Sequence, residues 1–100
     1  METLNLTVEK HVYGNQEFTT RMHYEYHVKD SRGNRYNPPG LSLSQFEAID
    51  SALHDVLLRS VRRDTEASVT IEGATLPESL QEFLRAKYEV EEQIESISFE

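Results

Sequence analysis

The sequence predicts an α+β domain, in the order β-hairpin, helix, strand, helix and last strand, with a mainly antiparallel sheet of three to four strands packed on one face by two helices. Three observations carry this expectation. Residues 3–13 and 17–29 alternate apolar and polar side chains with period two, residues 41–63 and 76–88 repeat apolar side chains at helical spacing, and residues 67–72 return to alternation. A chain of 100 residues with no internal repeat and no low-complexity tract makes one domain, 1–100.

In the first strand Leu4, Leu6, Val8 and Val12 share one face, with Asn5, Thr7, Glu9 and His11 on the other; in the second, Phe18, Met22, Tyr24, Tyr26 and Val28 alternate with Arg21, His23, Glu25, His27 and Lys29. A two-residue turn at Gly14-Asn15 sets even positions of one strand against odd positions of the other, so the apolar faces disagree. A loop of three or five residues restores agreement. It predicts Val12 opposite Phe18, Val8 opposite Met22, Leu6 opposite Tyr24 and the charge pair Glu9 opposite Arg21. On that alternation Tyr24 and Tyr26 belong to the core face.

The segment from Asp30 to Gly40 is dense in turn formers and has no apolar period, which predicts a surface connection with a tight turn at Gly33-Asn34. Arg32, Arg35 and Tyr36 make its tip the one locally basic and aromatic spot in the chain. They are taken as candidate contact residues.

Leu41 to Arg63 is the most legible helix, with Phe46, Ile49, Leu53, Val56, Leu57 and Ser60 on one side. Ser42 with Gln45 reads as a capping box, with Leu41 stapled to Phe46, and Ser44 with Glu47 is a second candidate cap. Arg59, Arg62 and Arg63 suit the negative end of the helix dipole. Ala67, Val69 and Ile71 then mark a strand ending at Gly73. A second helix opens near Thr75, Leu76 and Pro77 and turns Leu76, Leu80, Phe83, Leu84 and Tyr88 to one side. Four glutamates at 89, 91, 92 and 95 crowd the negative pole if this helix continues, so Ile94, Ile97 and Phe99 are read as a last strand.

Composition narrows the function classes. The chain has no cysteine, which excludes disulfides and thiolate sites. No apolar run reaches the roughly 18–20 residues that cross a bilayer, and residues 1–20 lack a charged-apolar-small leader pattern, so a cytoplasmic protein without membrane association is expected. Acids and bases balance over residues 1–40, while residues 41–100 carry thirteen acids against five bases and hold the whole net charge of −8. That field repels phosphate backbones and favours a basic protein surface, so direct nucleic-acid binding is not expected.

No Gly-rich phosphate loop, nucleophile elbow or helical zinc signature is present, so no catalytic residue, metal ligand or cofactor is assigned and no enzymatic activity is expected. His23, Glu25 and His27 share one strand face, with steps of about 6.8 Å between neighbours. They support an alternative reading as a small metal-dependent enzyme. The acidic group Glu89, Glu91, Glu92 and Glu95 carries the first reading: a small acidic protein-binding module that occupies the basic, nucleic-acid-binding surface of a larger complex. Anti-CRISPR, anti-restriction and immunity proteins share its size and charge, which is an analogy only. A further alternative is an assembly subunit or homodimer that uses a sheet edge or Leu58.

Overall fold

The computed structural model of the protein describes residues 2–13, 23–36, 44–90 and 93–100. Its elements are β1 (Glu2–Tyr13), β2 (His23–Asp30), α1 (Gln45–Arg63), β3 (Ala67–Glu72), α2 (Glu78–Tyr88) and β4 (Ile94–Phe99). The four strands form one sheet in the order β2-β1-β3-β4. Both helices lie on one face of it, and the opposite face carries Thr7, Glu9, His11, Thr70 and Ser96.

The α+β class and the order of elements agree with the sequence reading, and the sense of pairing is mixed. Among the four described strands β1 and β2 pair antiparallel, whereas β1 with β3 and β3 with β4 are parallel. A single helix between β3 and its neighbour β4 returns the chain to the end where β3 began, the crossover that a parallel pair requires. β1 therefore lies inside the sheet, with Leu6 opposite both Asp30 and Ile71.

The hairpin register differs from the expected one. Val8 faces Val28, Val12 faces Tyr24 and Glu9 faces His27, so the pairs Val8 with Met22, Leu6 with Tyr24 and Glu9 with Arg21 do not form. Even residues still oppose even residues, as face matching demands, but the slide is six positions further along β2. The Val8 and Val28 match puts two fully apolar residues under the helices. Glu9 finds Lys29 instead of Arg21, at 2.9 Å. Consequently the far end of the hairpin runs past the helices, and Val12 and Tyr24 are 50% and 47% exposed, whereas Tyr26 packs against the core. The turn expected at Gly14-Asn15, with Phe18 and Met22, lies outside the described residues.

α1 buries Ala48, Ile49, Ala52, Leu53, Val56 and Ser60, with Phe46 and Leu57 at the margin. The cap is Ser44, whose hydroxyl accepts the Glu47 N–H at 3.1 Å; Leu41 and Ser42 lie outside the described residues. Gln45, expected in a capping box, accepts the Thr75 N–H at 2.8 Å and so ties the start of α1 to the approach to α2. At the other end Asp64 adopts a left-handed conformation (φ 52°), and the Thr65 N–H returns to the Ser60 carbonyl at 3.1 Å. Pro77 stands one residue before α2, where its carbonyl accepts from Leu80 and Gln81. α2 buries Leu84 and Tyr88 but leaves Phe83 half exposed beside Phe46, with ring centroids 5.9 Å apart.

Two glycines test the local geometry. Gly33 and Gly73 both have positive φ (86° and 81°), but a Cβ at Gly73 meets the Val8 carbonyl oxygen at 2.7 Å whereas one at Gly33 meets nothing within 4 Å. Gly33→Ala is expected to lose only the left-handed penalty of about 1–2 kcal/mol. Gly73→Ala adds the displacement of β1 and should cost roughly 2–4 kcal/mol. Denaturant unfolding of the two variants checks this, and equal midpoints contradict it.

Candidate functional site

Four acidic positions after α2 were the sequence candidates. Glu89 follows the last turn of α2, and Glu95 stands exposed near the start of β4. Glu91 and Glu92 lie outside the described residues. With Glu66 from the turn before β3 and the side of Ile94, Glu89 and Glu95 line an open depression of about 390 Å³. The chain brings these three carboxylates together because β3 and β4 run parallel and side by side, with Ala67 opposite Ile94 and the Ala67 N–H on the Gln93 carbonyl at 2.7 Å. Parallel pairing places the starts of both strands at one end of the sheet. That same end receives the C-terminus of α2, whose dipole adds negative potential.

Glu66 was missed from sequence because it sits more than twenty residues before the other two, and only the parallel pairing unites them. Glu89 also has a structural bond: its Oε1 accepts the Ile97 N–H at 3.0 Å. The depression can therefore offer carboxylate oxygens to a cationic group such as a lysine or arginine side chain.

The basic and aromatic spot behaves differently. Tyr36 is only 5% exposed, packs in the core and donates its hydroxyl to Asp30 Oδ2 at 3.0 Å, with the Arg59 guanidinium 4.4 Å from its ring centre. Arg32 and Arg35 remain exposed. The turn is organised by Asp30, whose carboxylate also accepts the main-chain N–H groups of Arg32 and Asn34, both at 2.9 Å, and the Asn34 side-chain amide at 3.2 Å. Burial pushes the Asp30 carboxyl up, but these hydrogen bonds outweigh it and hold the group below the usual aspartate value. The burial and the Asp30 bond both push the Tyr36 hydroxyl up. Since β2 and β4 are the two outer strands, the Arg32 and Arg35 loop and the acidic depression sit at opposite edges of the sheet. They do not form one site.

On the open face of the hairpin, Glu25 and His27 meet His11 of β1. Glu25 Oε2 lies 3.1 Å from His27 Nε2, Glu9 Oε2 lies 3.3 Å from His11 Nε2, and the two imidazoles stack with centroids 4.2 Å apart and planes 23° from parallel. Lys29 and then His11 hold the Glu9 carboxyl below its ordinary range. His27 is 4% exposed, and its Nδ1 is buried without a hydrogen-bond partner. Ring nitrogens bind a metal along lone pairs in the ring plane, at about 2.0–2.1 Å for zinc. Two nearly parallel stacked rings do not direct those lone pairs to one point. Among the described residues no group of three His, Cys, Asp or Glu side chains is placed to hold a metal ion; the His23 side chain is outside them.

A third polar network fastens the helices to each other. Burial and the Asp50 carboxylate push the Tyr88 hydroxyl up to about 12. Burial raises Asp50 too, but hydrogen bonds from Tyr88 and from Lys87, the latter at 2.9 Å, outweigh it and keep the carboxyl below its usual value. Among the described residues no helix is long and apolar enough to cross a membrane. No family model, curated protein or solved structure matches the chain.

The Asp30 cradle yields a pH prediction. Its folded-state carboxyl titrates below the unfolded value of 3.8, so its share of stability is present above 3.8 and is lost as pH falls through the lower folded value. Asp30→Asn should cost about 1–3 kcal/mol near neutral pH. The gap between variant and native protein should narrow once the pH drops below 3.8. Urea titrations over a pH series measure this, and a gap that widens on acidification contradicts it.

Proposed function

We propose that this protein is a small acidic protein-binding module that occupies the basic, nucleic-acid-binding surface of a larger complex and thereby inhibits it. The observation that supports the reading is the convergence of Glu66, Glu89 and Glu95 around one open depression at the negative pole of α2. The charge distribution adds to it, because all of the net charge of −8 lies in residues 41–100. A groove lined by arginine and lysine attracts such a face for the reason it attracts phosphates: counterions on both partners are released on contact. The mechanism is competitive exclusion, with carboxylates standing where backbone phosphates otherwise lie. Encounter is steered by long-range attraction and is screened beyond about 8–10 Å at physiological salt. The kind of inhibitor that blocks a CRISPR, restriction or toxin nuclease fits this description, and the acting residues are Glu66, Glu89, Glu91, Glu92 and Glu95.

The test uses affinity capture from the native host at low salt, comparing the native chain with Glu66→Lys/Glu95→Lys. Neither of these two side chains makes a hydrogen bond among the described residues, so the fold should persist. The expected result is a nucleic-acid-processing complex held by the native chain, released by raised salt, and bound at least about tenfold more weakly by the variant. Capture of the same complex by both proteins with no response to salt overturns the electrostatic mechanism.

A further inference from the structure

We propose that Arg85 and Glu89 form a guard that closes the outer edge of β4 to a second copy of this chain. β4 is the last strand of the sheet, and its inner side is committed to β3 through bonds such as the Glu100 N–H to the Ile71 carbonyl at 2.9 Å. Ile97, opposite Val69, turns its main-chain groups the other way. Its N–H donates to Glu89 Oε1 at 3.0 Å, and its carbonyl accepts from Arg85 Nε at 3.0 Å. In an antiparallel pair, a hydrogen-bonded residue gives one N–H to its neighbour and receives one back. The carboxylate stands in for the neighbour's carbonyl and the guanidinium for its N–H, so two side chains imitate one residue of an added strand.

The guard is itself held in place. Arg85 and Glu89 are four residues apart, the Glu89 N–H donates to the Arg85 carbonyl at 2.8 Å, and the guanidinium lies 5.4 Å from the Phe99 ring centre and 3.4 Å from Gln81 Oε1. The edge has reason to need closing. Ile94-Glu95-Ser96-Ile97-Ser98-Phe99 is short, half apolar and singly charged, a composition that adds strands readily. Other features work in the same direction. An irregularity at Ala67/Ser68 interrupts the register where β4 begins, and at the far edge of the sheet the chain folds back on β2 through Lys29 and Arg35, with the Tyr36 N–H on the Val28 carbonyl at 2.9 Å. The occupant of an opened β4 edge is a second β4, paired antiparallel about a two-fold axis at Ile97, because such a pairing is self-complementary.

Sedimentation of the full chain over a concentration series tests this with Arg85→Met/Glu89→Ala. Methionine keeps the packing on Phe99 while removing the donor, and alanine removes the acceptor. The double variant is expected to gain mass over the native protein with rising concentration, whereas Glu89→Gln, whose amide oxygen still accepts the Ile97 N–H, keeps the native mass. A folded double variant with the native mass at every concentration overturns the proposal. Amide exchange decides the matter if that variant does not fold. The Ile97 N–H of the native protein should exchange at least about tenfold more slowly than an unprotected edge amide, and Glu89→Ala should remove that protection. Exchange of Ile97 at the unprotected rate in the native chain also overturns it.

Discussion

Everything in this molecule hangs on the burial of one row of α1 against one face of the sheet. Ile49, Leu53 and Val56 fall on successive turns, and Leu6, Val28, Val69 and Ile71 join the same buried cluster from three strands. Each such side chain withdrawn from water contributes about 1.5–3 kcal/mol. Among the described residues no other apolar surface is as continuous, and it explains the asymmetry of the sheet. One face is filled by both helices, while the other presents hydroxyls, a serine pair at 2.7 Å and the stacked imidazoles. The fit also fixes where β1 must lie. Only an inner strand can offer Leu4, Leu6 and Val8 to the helices while pairing with β2 on one side and β3 on the other.

The elements that carry a long period were legible in the sequence. α1 and α2 declare themselves through apolar spacing, and the end of α2 near Tyr88 follows from the repulsion that four further glutamates would meet at the negative pole. The hairpin shows where such reasoning stops. Alternation settles which face a residue takes but is blind to slides by an even number of positions, so Val8 against Met22 and Val8 against Val28 were equally allowed. The choice was made by tertiary contact, since the observed register sets Val28 beneath α1. Parallel pairing was within reach, because a lone helix between adjacent strands implies it.

The same limit applies to the site. Glu89 and Glu95 could be named from the acidic run, but Glu66 could not, since nothing local marks it. The sequence points to Tyr36 as a contact residue because it follows two arginines in a loop. Counting the acceptors of Asp30 would have suggested otherwise: a carboxylate at the end of a strand collects donors from the turn that follows, and the tyrosine hydroxyl completes the set. The acids of this chain thus divide by use. Buried Asp30 and partly exposed Asp50 are acceptors that pin a turn and a helix pair, Glu9 ties two strands, and Glu89 closes a ladder while also lining the depression.

The parallel contact between β1 and β3 has a consequence for how the chain is made. Glu2 pairs with Ala67, so β1 finds this partner only after about 65 more residues have been synthesised. At roughly 5–20 residues per second that interval lasts about 3–13 s. For most of it Leu4, Leu6 and Val8 have neither α1 nor β3 to cover them, since α1 is completed only a few residues before β3. Those apolar residues gain their cover only from residues 45–72, within the half of this sequence that carries the whole net negative charge, so the core closes on a chain that its own charge keeps dispersed.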